Sequence, residues 1–118
     1  MSRRLSETLL ATCLMVPVLV ASGTARAEET DRHNRGAEIY EKWCAGCHAD
    51  GVHYAGTMAL QAKYKGAVPA LLTERQDLSP EFIEVFVRNG FSIMPHFRKT
   101  LISDEELDAL SHYLINGE

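Results

Sequence analysis

Cys44-Ala45-Gly46-Cys47-His48 sets two thiols three residues apart and an imidazole directly after the second. Side chains at that spacing share one face of a helical turn. Two thiols so placed add to the two vinyl groups of a haem, and the adjacent histidine reaches the iron; C-x-x-C-H is the attachment signature of covalent haem. Other uses of the cysteine pair have weaker support. A thioredoxin-like redox pair belongs to a βαβ setting, and no strand-like alternation precedes Cys44. Half a zinc site needs a second pair, and no second cysteine pair follows. A plain disulfide leaves His48 without a role.

A haem held by His48 has a second axial position, and its occupant separates an electron carrier from a site for small molecules. A thioether there favours Fe(II), raises the potential and closes the coordination sphere. An open position admits gas binding or peroxide chemistry. Met58 and Met94 are the methionines outside the N-terminal leader described below. Met94 is the candidate ligand. Pro95 stiffens the segment presenting the sulfur, helical segments anchor it at both ends, and it is far enough from His48 in sequence to reach the opposite face. The alternative role for Met94 is core filling. Met58 and His53 share a segment with the proximal side and suit surface or packing. His96 lies two residues beyond Met94, past Pro95, and points elsewhere.

The elements that must position these groups occupy one small domain of the 118-residue chain. Arg3 and Arg4, the uncharged apolar run from Leu9 to Ala21 and Ala25-Arg26-Ala27 have the layout of a secretory signal peptide, cleaved after Ala27 and leaving no stable membrane anchor. Pro17 interrupts the apolar run, which is short for a membrane span. The whole chain carries 12 basic and 16 acidic side chains; Arg3, Arg4, Arg26 and Glu7 fall in the leader, so residues 28–118 carry a net charge of −6. That leaves nothing basic and patterned enough for nucleic acid. The cysteines left after cleavage are Cys44 and Cys47, which haem attachment consumes.

Residues 28–34 are polar, without periodicity, and are expected to form a loose N-terminus ahead of a domain at 35–118. His33 is expected to be solvated. A helix is predicted from Arg35 to Cys47, with Gly36, Ile39, Tyr40 and Trp43 on one face. Residues 49–69 read as a long loop with a helical turn around Met58 to Tyr64. A second helix spans Leu78 to Asn89, capped by Ser79 and Pro80, with Phe82, Val85 and Phe86 as its apolar stripe. A third spans Ser103 to Asn116. Ser103 and Glu106 form its capping box, Leu107, Leu110, Tyr113 and Leu114 its buried face, and His112 points away from that stripe. The fold class is all-α, with three main helices and long loops around the haem.

These residues resemble the class I cytochromes c over nearly the whole chain after the leader. The C-x-x-C-H motif is Cys44 to His48. The family's helix-crossing glycine and aromatic correspond to Gly36 and Tyr40, with Leu110 and Tyr113 as partners on the last helix, and its Met-Pro ligand loop is Met94-Pro95. The resemblance implies crossed terminal helices, covalent haem c, His48/Met94 ligation and one-electron transfer, and the signal peptide places the protein in the periplasm. One departure concerns the Gly-Pro whose carbonyl orients the haem histidine in many members. Here Ala55-Gly56 stands near that place, and either Pro69 or another carbonyl takes the role.

Val87-Arg88-Asn89-Gly90-Phe91, Met94-Pro95-His96-Phe97 and Ser103-Asp104-Glu105-Glu106-Leu107 are further similar to the cytochrome subunits of flavocytochromes of the p-cresol methylhydroxylase and eugenol hydroxylase type. That similarity implies an FAD-containing dehydrogenase as electron donor, with a cytochrome, cupredoxin or oxidase as acceptor, and no catalytic residues in this chain. Two alternatives stay open: a free soluble carrier for a quinoprotein dehydrogenase or terminal oxidase, and a haem peroxidase or sensor with a dissociable sixth ligand. Met94, Pro95 and Phe97, rimmed by Arg98 and Lys99, form a candidate docking patch. Arg75, Tyr64 and Arg88 are available to the haem propionates.

Overall fold

Helix starts and stops follow local chemistry. Ser79 Oγ accepts from the Phe82 amide at 3.2 Å, Pro80 occupies the first turn, and Gly90 ends the helix at φ +70°. Ser103 Oγ accepts from the Glu106 amide at 3.2 Å while the Glu106 carboxylate accepts from the Ser103 amide at 3.0 Å, a complete capping box. The computed structural model describes residues 21–117. Within them lie α1 (Ala21–Trp43), α2 (Ala45–His48), α3 (Ala55–Tyr64), a 3-10 turn (Leu72–Glu74), α4 (Pro80–Asn89) and α5 (Asp104–Asn116). No strand occurs among the described residues, and none of their helices is long and apolar enough to cross a membrane. The leader's first 20 residues lie outside them.

The core forms where α1 crosses α5. A Cβ at Gly36 would lie 2.6 Å from the Tyr113 Cβ and on top of the Ala109 carbonyl, so only glycine lets the two backbones approach this closely. Tyr40 and Tyr113 stack at 5.6 Å beside the crossing. Leu110, expected as a direct partner of the glycine and aromatic, is fully buried in the core, but Gly36 meets Ala109 and Tyr113.

Where residues 49–69 read as a loop with one helical turn, Ala55–Tyr64 forms a full helix, and three further sequence expectations change. Residues 28–34 are helical and continue α1 without a break. Arg32 pairs with Asp108 at 2.6 Å, and Glu29 Oε1 lies 2.6 Å from His112 Nε2. The His33 ring packs edge-on against Tyr113 at 5.1 Å rather than in solvent, and His112 faces α1 with its side chain 9% exposed. These polar side chains find partners on α5, some 80 residues away, which local periodicity does not reveal. Second, the predicted helix to Cys47 breaks at Cys44 and resumes one residue later. Third, α4 buries Ile83 and Val87 rather than Phe82, Val85 and Phe86; Phe82 and Val85 are exposed.

Candidate haem site

The motif lies on a single turn. The Cys44 amide donates to the Tyr40 carbonyl at 2.8 Å, so the chain leaves α1 still hydrogen-bonded to it, while Cys44 caps α2 at φ −113°. The amides of Cys47 and His48 both donate to the Cys44 carbonyl, at 3.0 and 2.9 Å. This brings Cys44, Cys47 and His48 together as a unit. Cys47 is exposed and Cys44 half-buried, and no disulfide joins them.

Neighbouring helices hold the end of this turn. The buried Tyr40 hydroxyl donates to the His48 carbonyl at 2.7 Å, and Thr57 Oγ1 on α3 donates to the Ala49 carbonyl at 2.8 Å. Gly56 forms a cradle for the imidazole: a Cβ there would fall 2.6 Å from His48 Cε1 and 2.8 Å from its Nδ1. Burial lowers the His48 pKa, favouring the neutral ring that can donate a lone pair to iron. Its Nδ1 is buried and has no hydrogen-bond partner among the described residues. The Pro69 carbonyl therefore does not hold the ring; Pro69 lines a cleft of about 550 Å³ with Met58 and Leu71. Two cysteines and a neutral imidazole on one turn, with a glycine packed beside the ring, form a donor set that fits covalent haem. Gly56 and Thr57 had no periodic signal in the sequence.

Met94 stands apart, on the segment joining α4 to α5. It is half-buried and exchanges two main-chain hydrogen bonds with Phe91, at 3.1 and 2.9 Å. Ser92 within this tight turn has φ +55°. Phe97, three residues on, packs its ring edge-on to Trp43 at 5.9 Å. Trp43 directly precedes Cys44, so this contact links the Met94 segment to the C-x-x-C-H turn. Met58 and His53 are exposed, as is His96.

The candidate docking patch needs correction. Phe97 is 9% exposed and belongs to the core, whereas Ile93 and Phe91 are 79% and 63% exposed. Lys99 pairs with Asp104 at 2.6 Å, and Arg98 is exposed. Of the candidate propionate partners, Arg75 is buried, forked onto Asp77 and stacked over Tyr64 at 4.9 Å. The Arg88 guanidinium is committed to main-chain carbonyls.

An all-α chain with crossed first and last helices and a C-x-x-C-H turn beneath the crossing has the architecture of a class I cytochrome c. Residues 31–114 match the family model described as cytochrome c oxidase, cbb3-type, subunit III, and the chain belongs to this family of c-type cytochromes. It is also 32% identical over 110 residues, covering 92% of this chain and 82% of the relative, to the 4-cresol dehydrogenase (hydroxylating) cytochrome c subunit of Pseudomonas putida. No solved structure matches. The protein is thus an electron-transfer component carrying haem c, not a catalytic subunit.

Proposed function

We propose that this chain is a periplasmic cytochrome subunit whose haem would be attached through Cys44 and Cys47, with His48 and Met94 as the residues that would bind its iron. It accepts single electrons from an FAD-containing dehydrogenase that oxidises a 4-alkylphenol, and passes them to a soluble cytochrome, a cupredoxin or an oxidase. The observation that carries this reading is the turn from Cys44 to His48, pinned by Tyr40 and Thr57 at the carbonyls of His48 and Ala49.

When bound, the haem supplies a reversible one-electron couple between Fe(III) and Fe(II). The chain's own residues supply position. A turn pinned from both sides keeps His48 in place in both oxidation states, which limits reorganisation. The segment carrying Met94 is tied to the same region through Trp43 and Phe97. Export with cleavage after Ala27 leaves Glu28, Glu29 and Asp31 in the first turn of the remaining α1, where carboxylates suit the positive helix end. The similarity to the 4-cresol dehydrogenase cytochrome subunit supports a flavoprotein donor.

Co-purification tests the partner. The C-terminally tagged protein is isolated from periplasm at low salt and examined for an FAD-containing polypeptide. The expected result is a flavoprotein in the haem fraction and reduction of the haem by a 4-alkylphenol. A free cytochrome that no phenol reduces contradicts the subunit assignment and makes a mobile carrier the working answer.

A further inference from the structure

We infer that Arg88 is the positioning residue of the Met94 segment, and that its guanidinium determines how firmly the thioether is presented. The inference rests on Met94 as the sixth ligand. Arg88 projects from the last turn of α4, its side chain 14% exposed. One terminal nitrogen donates to the carbonyls of Phe97 and Ile102, at 3.1 and 2.8 Å. The other donates to the Ser103 carbonyl at 3.2 Å and to Asp104 Oδ1 at 3.0 Å. Phe97 and Ile102 are buried and belong to no helix, so their carbonyls need a donor from elsewhere in the fold. A planar fork spans such a set of acceptors; the point charge of a lysine does not.

The same turn of α4 holds the segment at a second place. The Phe97 amide donates to the Val87 carbonyl at 2.7 Å. Gly90, at φ +70°, lies so close that a Cβ would meet the Met94 carbonyl oxygen at 2.6 Å and the His96 amide at 3.0 Å. Residues 87–90 therefore form one cradle, with Gly90 under residues 94–96 and Arg88 across the return to α5. Beyond the cradle, the segment is anchored where Phe97 packs on Trp43 and Ile102 enters the core, whereas Phe91, Ile93 and Leu101 around these anchors are exposed, and a stretch with few buried contacts opens at low free energy. The cradle is what holds the part of the segment nearest Met94.

The test uses the haem-loaded protein and three readouts: the ferric thioether charge-transfer band, the affinity of the ferric form for added imidazole, and the thermal midpoint. In Arg88→Met the band is expected to fade and imidazole to bind at least about tenfold more tightly, since hydrogen bonds from a charged donor are lost. Arg88→Lys should recover part of both effects. Gly90→Ala should repeat the Arg88→Met spectrum, because it disturbs the other end of the cradle. Leu107→Ala, a buried change on α5, should lower the midpoint and leave band and imidazole affinity alone. Should Arg88→Met fail to accumulate, Asp104→Asn removes one leg of the clamp and should shift imidazole affinity in the same direction by less. If Arg88→Met and Gly90→Ala, or Asp104→Asn in place of the first, lower the midpoint but keep the wild-type band and imidazole affinity, the positioning role is overturned. If the wild type lacks the band and Met94→Ala leaves imidazole affinity unchanged, the Met94 assignment itself fails and the inference with it.

Discussion

His48 is held by groups that are unremarkable one at a time: a phenol on its carbonyl, a glycine beside its ring and a threonine on the next carbonyl. Their joint effect is to keep a neutral imidazole in one place, as an electron-transfer ligand requires. Tyr40→Phe removes the donor to the His48 carbonyl and should cost about 1 kcal/mol in urea unfolding, the usual net worth of such a bond. Burial, followed by the neighbouring Cys44 and Tyr113, raises the Tyr40 phenol above its ordinary value, so it remains a donor at all physiological pH. Gly56→Ala should displace the imidazole and the Cys47 carbonyl and shift the reduction potential, measured by redox titration. Covalent attachment is checked on a denaturing gel: Cys44→Ala combined with Cys47→Ala should release all haem from the polypeptide, and each single variant should retain some. The grouping of Cys44, Cys47 and His48 on one turn was legible because the residues are contiguous in the chain. Thr57 was not legible as a site residue, and the sequence flagged Gly56 and Arg88 without the parts they take, because what these residues do depends on which distant atoms face them.

Among the elements, the crossing of α1 on α5 organises the molecule. Gly36→Ala places a methyl group where the Ala109 carbonyl and Tyr113 Cβ already lie, so the helices must separate. Thermal or denaturant unfolding should show a loss of at least about 1–3 kcal/mol, the range for overpacking a core. Gly36, Tyr40 and Tyr113 could be recognised from sequence through the resemblance to class I cytochromes c, which carry a glycine and an aromatic at the helix crossing. The helix caps at Ser79 and Ser103 were readable for a similar reason, as capping is decided within four residues. The first half of α1 was not. Its polar residues show no apolar face because ion pairs and histidine contacts dock it on α5. In α4 the bulky Phe82 and Phe86 suggested the wrong face. They stack on one another at 4.8 Å, while the smaller Ile83 and Val87 enter the core.

Among the described residues, several acidic side chains lie opposite cations, histidine or helix N-terminal amides. His112 lowers the Glu29 pKa, the Arg75 fork lowers that of Asp77, Lys99 that of Asp104, and the Ser103 amide that of Glu106. A carboxylate whose pKa is depressed on folding adds stability above its unfolded value, about 4, and loses it as pH falls through the folded value. The thermal midpoint should therefore hold above that range and decline below it, with the contact between α1 and α5 weakening early. Each exposed pair contributes little alone. We propose that His48 and Met94 both bind the iron, so that the chain is an electron carrier and not a gas or peroxide site. Carbon monoxide binding to the ferrous protein tests it most directly. The wild type should leave carbon monoxide unbound at neutral pH, and Met94→Ala should bind it readily. Rapid, tight carbon monoxide binding by the wild type, unchanged in Met94→Ala, would contradict the account and point to a haem with an open sixth position.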